Sequence, residues 1–409
     1  MDEDGVCVNA LPYAKMHDPR PEEIAQYQKQ FLYSGGGYEV KSTFSHKPPE
    51  YVTLPHGSSV AYWNCMEYSH KCANPQLNAL NFIEGSAWTS DGHDAFGQDF
   101  ENFDYSNRRD MWAPHDKYEF LATKRTVITG DAAAFFGFYP VNFGHCLHDN
   151  LPMVAWLRSI VPDHTTFILP NTQIYKKLIN FIDPTFLDRI YFFDPNEIVT
   201  VEEGTLTVAR PNSPVLAEYG NTLFRPLRHW IFEQHPEYYP NEEDEYIIFH
   251  TRNGPHTQHG RSIEKHHEQD ILAMIRFNME KYNRKEKLIV FSGQDEKGNI
   301  LPLDEQFDIF RRASTIIGPH GSGLANNIWT YPFPTDCNKR VKMLEFVPGS
   351  DSAHVQTLYN GYYWLMRGMP IDWNLIVYAS NSTRFITYIR LDVLQQALDD
   401  MWGSSSLPS

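Results

Sequence analysis

The sequence predicts an α/β protein with a doubly wound parallel sheet in its C-terminal half. Short apolar segments rich in β-branched residues recur along the chain, and stretches of helical character separate them. Strands that are apolar along their whole length are typical of a parallel sheet covered by helices on both faces. Because 409 residues exceed the size of one ordinary core, we expect two domains.

The predicted elements alternate in both halves of the chain. In the N-terminal half, turn residues bound short buried strands at 125–130, 166–170, 189–193 and 205–209. Helices are predicted there at 145–160, 172–182 and 216–235. The C-terminal half has predicted strands at 246–250, 287–292, 314–318 and 342–347. Between and after them we predict helices at 262–282, 303–312 and 322–330. This pattern predicts a Rossmann-type arrangement.

The amino-acid composition argues against two classes of binding partner. A formal net charge of −16 argues against a general nucleic-acid binder or a protein of anionic membranes, because both partners favour a basic surface. No apolar run approaches the roughly 18 residues that span a bilayer, and the first ten residues do not resemble a signal peptide. We therefore expect no membrane segment in this chain. We expect the protein to lie in the cytoplasm or, if an anchor was removed, in the lumen of the Golgi or ER.

Five cysteines are too few for a disulfide scaffold, and their number is odd. Cys65 and Cys72 are spaced to close a small loop or to remain as two thiols. The sequence leaves both alternatives open.

Polar residues collect where the strands of the C-terminal half end. Ligands of open α/β sheets bind beyond the carboxyl ends of the strands. Arg252 follows the first of these strands, the segment GPHGSGLAN (318–326) follows the third, and Glu345 lies on the fourth. Gly321 and Gly323 allow close approach to a ligand, and Ser322 opens a helix whose free N–H groups favour an anion.

These residues predict a site for a nucleotide diphosphate. Arg252 and Arg261 can pair with phosphate oxygens through bidentate hydrogen bonds. Glu345 on a buried strand requires a partner, which we expect to be a ribose diol or else an internal arginine. The histidine-rich run 256–267 lacks zinc spacing, and no Asp-x-Asp pair occurs beyond Asp2 and Asp4. We therefore predict no metal site and assign charge neutralisation to the arginines and the helix end.

A second group of candidate residues lies in the segment VNFGHCLHDNLPMVAWL (141–157). His145 and Asp149 are four residues apart and share one helix face, with His148 beside them. Pro152 predicts a kink, or a restart of the helix with Asn150 as its cap. An aspartate hydrogen-bonded to a histidine is a suitable base for a sugar hydroxyl.

Three other interpretations of this segment stay open. Asp149 and Asn150 would serve as helix-capping residues, or His145 as a core histidine with satisfied hydrogen bonds. His145 and His148 would also suit a metal ion, but such a site needs further ligands, which the sequence does not identify.

The pattern His-x-x-x-Asp-x-x-Pro at His145, Asp149 and Pro152 resembles the first signature of glycosyltransferase family 61. The segment EQFDIFRRASTIIGPHGSGLANNIW, followed by MLEFVPG, is similar to the second signature. The arginine-bearing segment after YIIFH is similar to the middle one, and the resemblance spans roughly 125–360. Ser322 departs from the pattern, because the family often has alanine there.

The resemblance implies an inverting enzyme of GT-B architecture, in which two Rossmann-like domains face a cleft. The family includes plant enzymes that decorate xylan and animal enzymes that add N-acetylglucosamine to protein O-glycans. The acceptor side is implied to contain His145 and Asp149, whereas His148 is not obligatory in the family. The nucleotide-sugar side is implied to contain Arg252, Arg261, His320, Gly321, Ser322, Gly323 and Glu345.

These inferences predict four segments. They are an N-terminal extension at 1–50, an acceptor-side domain at 51–235, a nucleotide-sugar-binding domain at 236–385, and a C-terminal helix at 386–409 that packs back towards the N-terminal domain.

The sequence hypothesis is direct displacement on a UDP-sugar that carries xylose, N-acetylglucosamine or a related pentose. The acceptor would be a hydroxyl of an oligosaccharide, polysaccharide or glycoprotein, and no cofactor is expected to be required. Two alternatives remain at this point. One is a metal-dependent hydrolase that uses His145, His148 and Asp149, and the other is a non-catalytic module that binds a nucleotide or a carbohydrate.

Overall fold

Strands and helices alternate through both halves of the chain in a computed structural model of the protein. The structure describes residues 13–17, 38–39, 49–64, 83–95, 122–135, 142–195, 197–210, 221–238, 245–254, 262–330, 340–349, 371–379 and 388–403. The chain forms two units, one of Met1–Ser45 with Tyr238–Ser409 and the other of His46–Glu237.

Each predicted strand lies close to its predicted position, and the structure contains further strands that were not predicted. In chain order they are β1 (Tyr13–His17), β2 (Tyr38–Glu39), β3 (Glu50–Leu54), β4 (Ser59–Asn64), β5 (Ile83–Trp88), β6 (Lys124–Thr129), β7 (Ala132–Phe135), β8 (Thr166–Pro170), β9 (Ile190–Phe193), β10 (Glu197–Glu202), β11 (Leu206–Arg210), β12 (Tyr246–His250), β13 (Lys287–Phe291), β14 (Ala313–Pro319), β15 (Val341–Gly349) and β16 (Ile371–Ala379).

The α-helices are α1 (Phe143–His145), α2 (Leu151–Ile160), α3 (Gln173–Ile182), α4 (Asn221–Gln234), α5 (Lys265–Lys281), α6 (Leu303–Arg311) and α7 (Leu391–Gly403). Short 3-10 helices occur at Pro184–Arg189, Pro236–Tyr238 and Ser322–Thr330. In the described part of the chain, no helix is long and apolar enough to cross a membrane.

The sheet of the C-terminal unit has the strand order β13-β12-β14-β15-β16-β1-β2. All neighbours from β13 to β1 are parallel, and only β2 at the edge is antiparallel. After β12, the next strand in the chain, β13, lies on one side of it. The following strand, β14, lies on the other side, and β15 and β16 continue from there. The predictions of an α/β protein and of a parallel sheet are confirmed.

The first 50 residues contribute to this sheet, although the sequence predicted only an extension there. β1 pairs in parallel with β16, and β2 pairs with β1. The partner strand of β1 lies more than 350 residues later in the chain. Local patterns do not reveal a pairing at such a distance.

Helices α5 and α7 pack on the C-terminal sheet. Ile271 and Ile275 of α5 share a core with Leu394 and Leu398 of α7, and with strand residues such as Ile317. The sequence predicted that the C-terminal helix packs back towards the N-terminal domain. In the structure its apolar side joins the core of the C-terminal unit, because α7 presents apolar residues at helical spacing to α5 and the sheet. Packing towards the N-terminal domain stays a prediction.

The N-terminal unit contains two sheets. The larger has the order β3-β11-β7-β8-β9, with β3 antiparallel at its edge and the other four strands parallel. The smaller has the order β5-β4-β10-β6 and is mixed. The helical segment 143–160 connects β7 to its parallel neighbour β8, so it begins on the side of the sheet where β7 ends.

Candidate active site

The carboxyl edge of the C-terminal sheet brings several predicted residues together. β12 is flanked by β13, which follows it in the chain, and by β14, from which the chain continues in the other direction. Such a reversal of strand order creates a crevice at the carboxyl ends of the two central strands. Arg252 lies just after β12, and the segment His320–Gly323 lies just after β14.

Arg252 lies directly against this glycine turn, residues 320–323. Its Nη1 donates a hydrogen bond of 3.1 Å to the backbone carbonyl of His320. A Cβ added at Gly321 would lie 1.8 Å from Nη1 of Arg252, and one added at Gly323 would lie 2.2 Å from Nε2 of His250. Glycine at both positions therefore allows neighbouring side chains to approach the turn closely. The predicted close approach of a ligand stays a prediction.

His250 is a residue of this edge that the sequence analysis missed. Burial, together with the nearby Arg252 and His320, lowers the pKa of its imidazole to about 3, although a hydrogen bond to the backbone of Pro319 opposes this shift. The ring is thus a neutral group beneath the glycine turn at neutral pH. The available signal was its position as the last residue of the apolar strand YIIFH.

Glu345 has two protein partners that the sequence did not predict. Its side chain is fully buried, with Oε1 2.5 Å from Nδ1 of His320. Its Oε2 accepts a hydrogen bond of 2.8 Å from the indole N–H of Trp373. The carboxylate thus links His320 to Trp373 and orients the imidazole, while the predicted contact with a ribose diol stays a prediction. Trp373 was not predicted, because it lies on β16, 28 residues later.

Buried side-chain amides form hydrogen bonds at the C-terminal end of the glycine turn. Asn326 donates hydrogen bonds of 3.1 Å to the carbonyl of Gly323 and 3.0 Å to Oε1 of Gln306. Its Oδ1 accepts a hydrogen bond of 3.0 Å from the indole of Trp329. Ser322 opens the helix as predicted, but that helix is a 3-10 helix. Gln306 lies on α6, so the turn is fixed to a neighbouring helix.

Three residues singled out in the sequence lie outside the described residues. They are Arg261, Cys65 and Cys72.

The second candidate group lies in the N-terminal unit. The side chain of Asn142 caps α1 by accepting from the N–H groups of Gly144 and His145. A hydrogen bond of 2.6 Å joins Nδ1 of His145 to Oδ2 of Asp149. The His145 side chain is 40% exposed and that of Asp149 is 17% exposed, so solvent reaches both. In the described part of the chain, Oδ1 of Asp149 makes no hydrogen bond.

The segment continues as a helix past Asn150, without the capped restart that Pro152 had suggested as one alternative. Residues Cys146–Asn150 form a π-helical turn, in which the N–H of Leu151 donates to the carbonyl of Cys146. Proline has no N–H to continue the α-helical ladder, and a π turn absorbs this break within a continuous helix. Asn150 makes no side-chain capping bond. Such turns occur frequently at functional sites.

The other residues of the π turn are buried. The sequence placed His148 beside His145 and Asp149, but its side chain is almost completely buried. Burial raises the pKa of the Cys146 thiol to about 12. Burial also raises the pKa of Tyr175 on α3, and the neighbouring side chains of Cys146 and Asp149 add to this shift. The His145–Asp149 pair is therefore partly exposed, while Cys146 and Tyr175 stay uncharged at neutral pH.

The family comparison decides what kind of protein carries these two groups. Residues 143–340 match the model described as "Glycosyltransferase 61". The matched segment begins next to His145 and Asp149 and includes Arg252 and the glycine turn. Residues 143–340 are a glycosyltransferase family 61 domain.

As a family 61 glycosyltransferase, the chain is an enzyme that transfers a sugar, which implies a nucleotide-sugar donor and an acceptor. The family match supports glycosyl transfer over the two alternatives considered from the sequence, which were a metal-dependent hydrolase and a non-catalytic binding module. In the described residues of this glycosyltransferase, no group of three or more His, Cys, Asp or Glu side chains is placed to hold a metal ion.

Two solved structures are similar to this glycosyltransferase at low identity. The first is the bacterial iron-containing dodecameric glycosyltransferase TibC from enterotoxigenic E. coli H10407, with 13% identity, a TM-score of 0.30, and coverage of 64% of this chain and 67% of that one. The second is the dodecameric iron-containing heptosyltransferase TibC with ADP-D-beta-D-heptose, with 10% identity, a TM-score of 0.31, and coverage of 90% and 99%. No curated protein matches the chain.

Proposed function

We propose that this family 61 enzyme is an inverting glycosyltransferase of GT-B architecture that uses a UDP-sugar as donor. The transferred sugar is xylose, N-acetylglucosamine or a related pentose, and the acceptor is a hydroxyl of an oligosaccharide, polysaccharide or glycoprotein. In this proposal the N-terminal unit binds the acceptor and the C-terminal unit binds the donor. The observation that carries it is the 2.6 Å pair of His145 and Asp149, with Oδ1 of the aspartate left for a hydroxyl.

The proposed donor site is the carboxyl edge between β12 and β14. Arg252 and Arg261 neutralise the diphosphate, and the N–H groups at the start of the helix that Ser322 opens add positive potential. Gly321 and Gly323 bring the backbone of the turn close to the phosphates. His320 contacts the donor, and Glu345 contributes by holding its imidazole, since a hydrogen bond of 2.5 Å joins the two side chains.

The proposed acceptor step is a single displacement. Asp149 removes the proton of the acceptor hydroxyl, and the oxygen attacks the anomeric carbon. The bond from that carbon to the phosphate oxygen breaks, and the nucleoside diphosphate leaves with the electron pair. His145 orients the carboxylate through its Nδ1, whereas His148 is buried in the π turn. Arg252 stabilises the charge that develops on the leaving group.

The proposal is tested by a screen of UDP-sugars against the purified protein. We expect thermal stabilisation and slow donor hydrolysis with one UDP-sugar, and glycan transfer when an acceptor is supplied. We also expect transfer rates unchanged by EDTA, because arginines and backbone N–H groups carry the neutralisation. A strict requirement for a divalent cation, or stabilisation only by nucleotides other than UDP, would contradict the proposal.

A further inference from the structure

A polar network around Glu268 holds the residues on both sides of Arg252. Oε2 of Glu268, on α5, accepts hydrogen bonds of 2.5 Å from the hydroxyl of Thr251 and 2.8 Å from the side-chain amide of Asn253. The backbone N–H of Asn253 donates to the hydroxyl of Thr251 over 3.0 Å. One carboxylate oxygen therefore fixes the two neighbours of Arg252 to a helix.

The network also includes Ile263, which lies just before α5. The side-chain amide of Asn253 donates a hydrogen bond of 2.7 Å to the carbonyl of Ile263. The N–H of Thr251 donates to the carbonyl of Phe291, so this residue extends the pairing of β12 with β13. Burial raises the pKa of Glu268, whereas its hydrogen bonds to Thr251 and Asn253 oppose this effect.

The side chain of Arg252 extends to the glycine turn, whereas the side chains of its two neighbours contact Glu268. The guanidinium of Arg252 reaches the carbonyl of His320 in this turn. The arginine side chain has many rotamers, and restricting it before a ligand binds lowers the entropic cost of binding.

We propose that Glu268 is a positioning residue for Arg252: by fixing Thr251 and Asn253 it directs the guanidinium towards the diphosphate of the sugar donor. This inference rests on the proposed function of Arg252 at the donor. Glu268 itself does not contact the donor in this proposal. It acts through the backbone of the two residues that flank the arginine.

A double-mutant cycle tests the proposal. Affinities for UDP, GDP and ADP are measured by calorimetry for the wild type, and the nucleotide that binds most tightly is then used with Glu268→Ala, Arg252→Ala and the double variant. We expect about a 10-fold loss for Glu268→Ala in the wild-type background and no further loss in the Arg252→Ala background, because coupled residues do not act additively.

Three further variants separate positioning from folding. Glu268→Gln keeps an acceptor oxygen and should restore most of the affinity, while Thr251→Val should lose part of it by removing one donor. Asp270→Ala, at an exposed position on the same helix, should bind as the wild type does. A fully additive loss in the cycle would overturn the positioning role alone. If no nucleotide binds the wild type, or if Arg252→Ala binds normally, the proposed donor site fails and this inference fails with it.

Discussion

Asp149→Asn is expected to lower kcat by about 100- to 10,000-fold, the range over which a general base contributes to catalysis. An asparagine fills the same space but cannot accept the acceptor proton. The nucleotide affinity should stay at the wild-type value, because the proposed donor site lies in the C-terminal unit. Initial rates at saturating donor and acceptor, together with calorimetry of UDP, measure the two quantities separately.

Two variants accompany this measurement. His145→Gln should give a smaller loss, because the carboxylate is still present to accept the proton but loses the 2.6 Å bond that orients it. Asp163→Asn, at a fully exposed position in the same unit, should leave the rate unchanged. Near-normal turnover by a folded Asp149→Asn enzyme would remove this residue from the role of base.

Gly321→Ala is expected to weaken nucleotide binding about 10- to 100-fold, the size of a lost hydrogen bond to a charged group. The added methyl group would lie 1.8 Å from Nη1 of Arg252, so the guanidinium has to move away from the turn. Since the tip of an arginine side chain moves easily, the thermal stability should change little. Calorimetry and thermal unfolding of the same samples check both statements.

Gly323→Ala provides the matched comparison. Its methyl group would meet the ring of His250, which is buried and has no room to move. We expect a loss of stability of about 1–3 kcal/mol, as for other overpacked cores. In the combined variant Gly321→Ala/Arg252→Ala, binding should be no weaker than in Arg252→Ala. If Gly321→Ala bound as the wild type does while Arg252→Ala did not, the close contact would have no part in binding.

Local patterns predicted the central part of the C-terminal sheet. The strands β12 to β15 were identified because parallel strands are apolar along their length, and their carboxyl ends gave the edge where Arg252 and the glycine turn meet, whereas β1, β2 and β16 were not predicted. Glycines, an arginine after a strand, and a histidine and an aspartate four residues apart are signals that a sequence shows directly.

The residues that hold these site residues in position could not be predicted in the same way. Glu345 depends on Trp373, and Arg252 on Glu268, through side chains on other strands or helices. Such contacts are set by packing between elements, and the sequence alone left Glu345 with a ribose or an arginine as partner. The π turn was missed because a proline within a helix is compatible with a kink, a restart or an inserted residue, and only the packed helix decides among them.

The most direct test of the central claim is the anomeric configuration of the first product, measured by proton NMR during transfer from an α-linked UDP-sugar. A single displacement by a hydroxyl that Asp149 deprotonates predicts a β-linked product from the first turnover. An α-linked first product would contradict that displacement and, with it, the role assigned to Asp149.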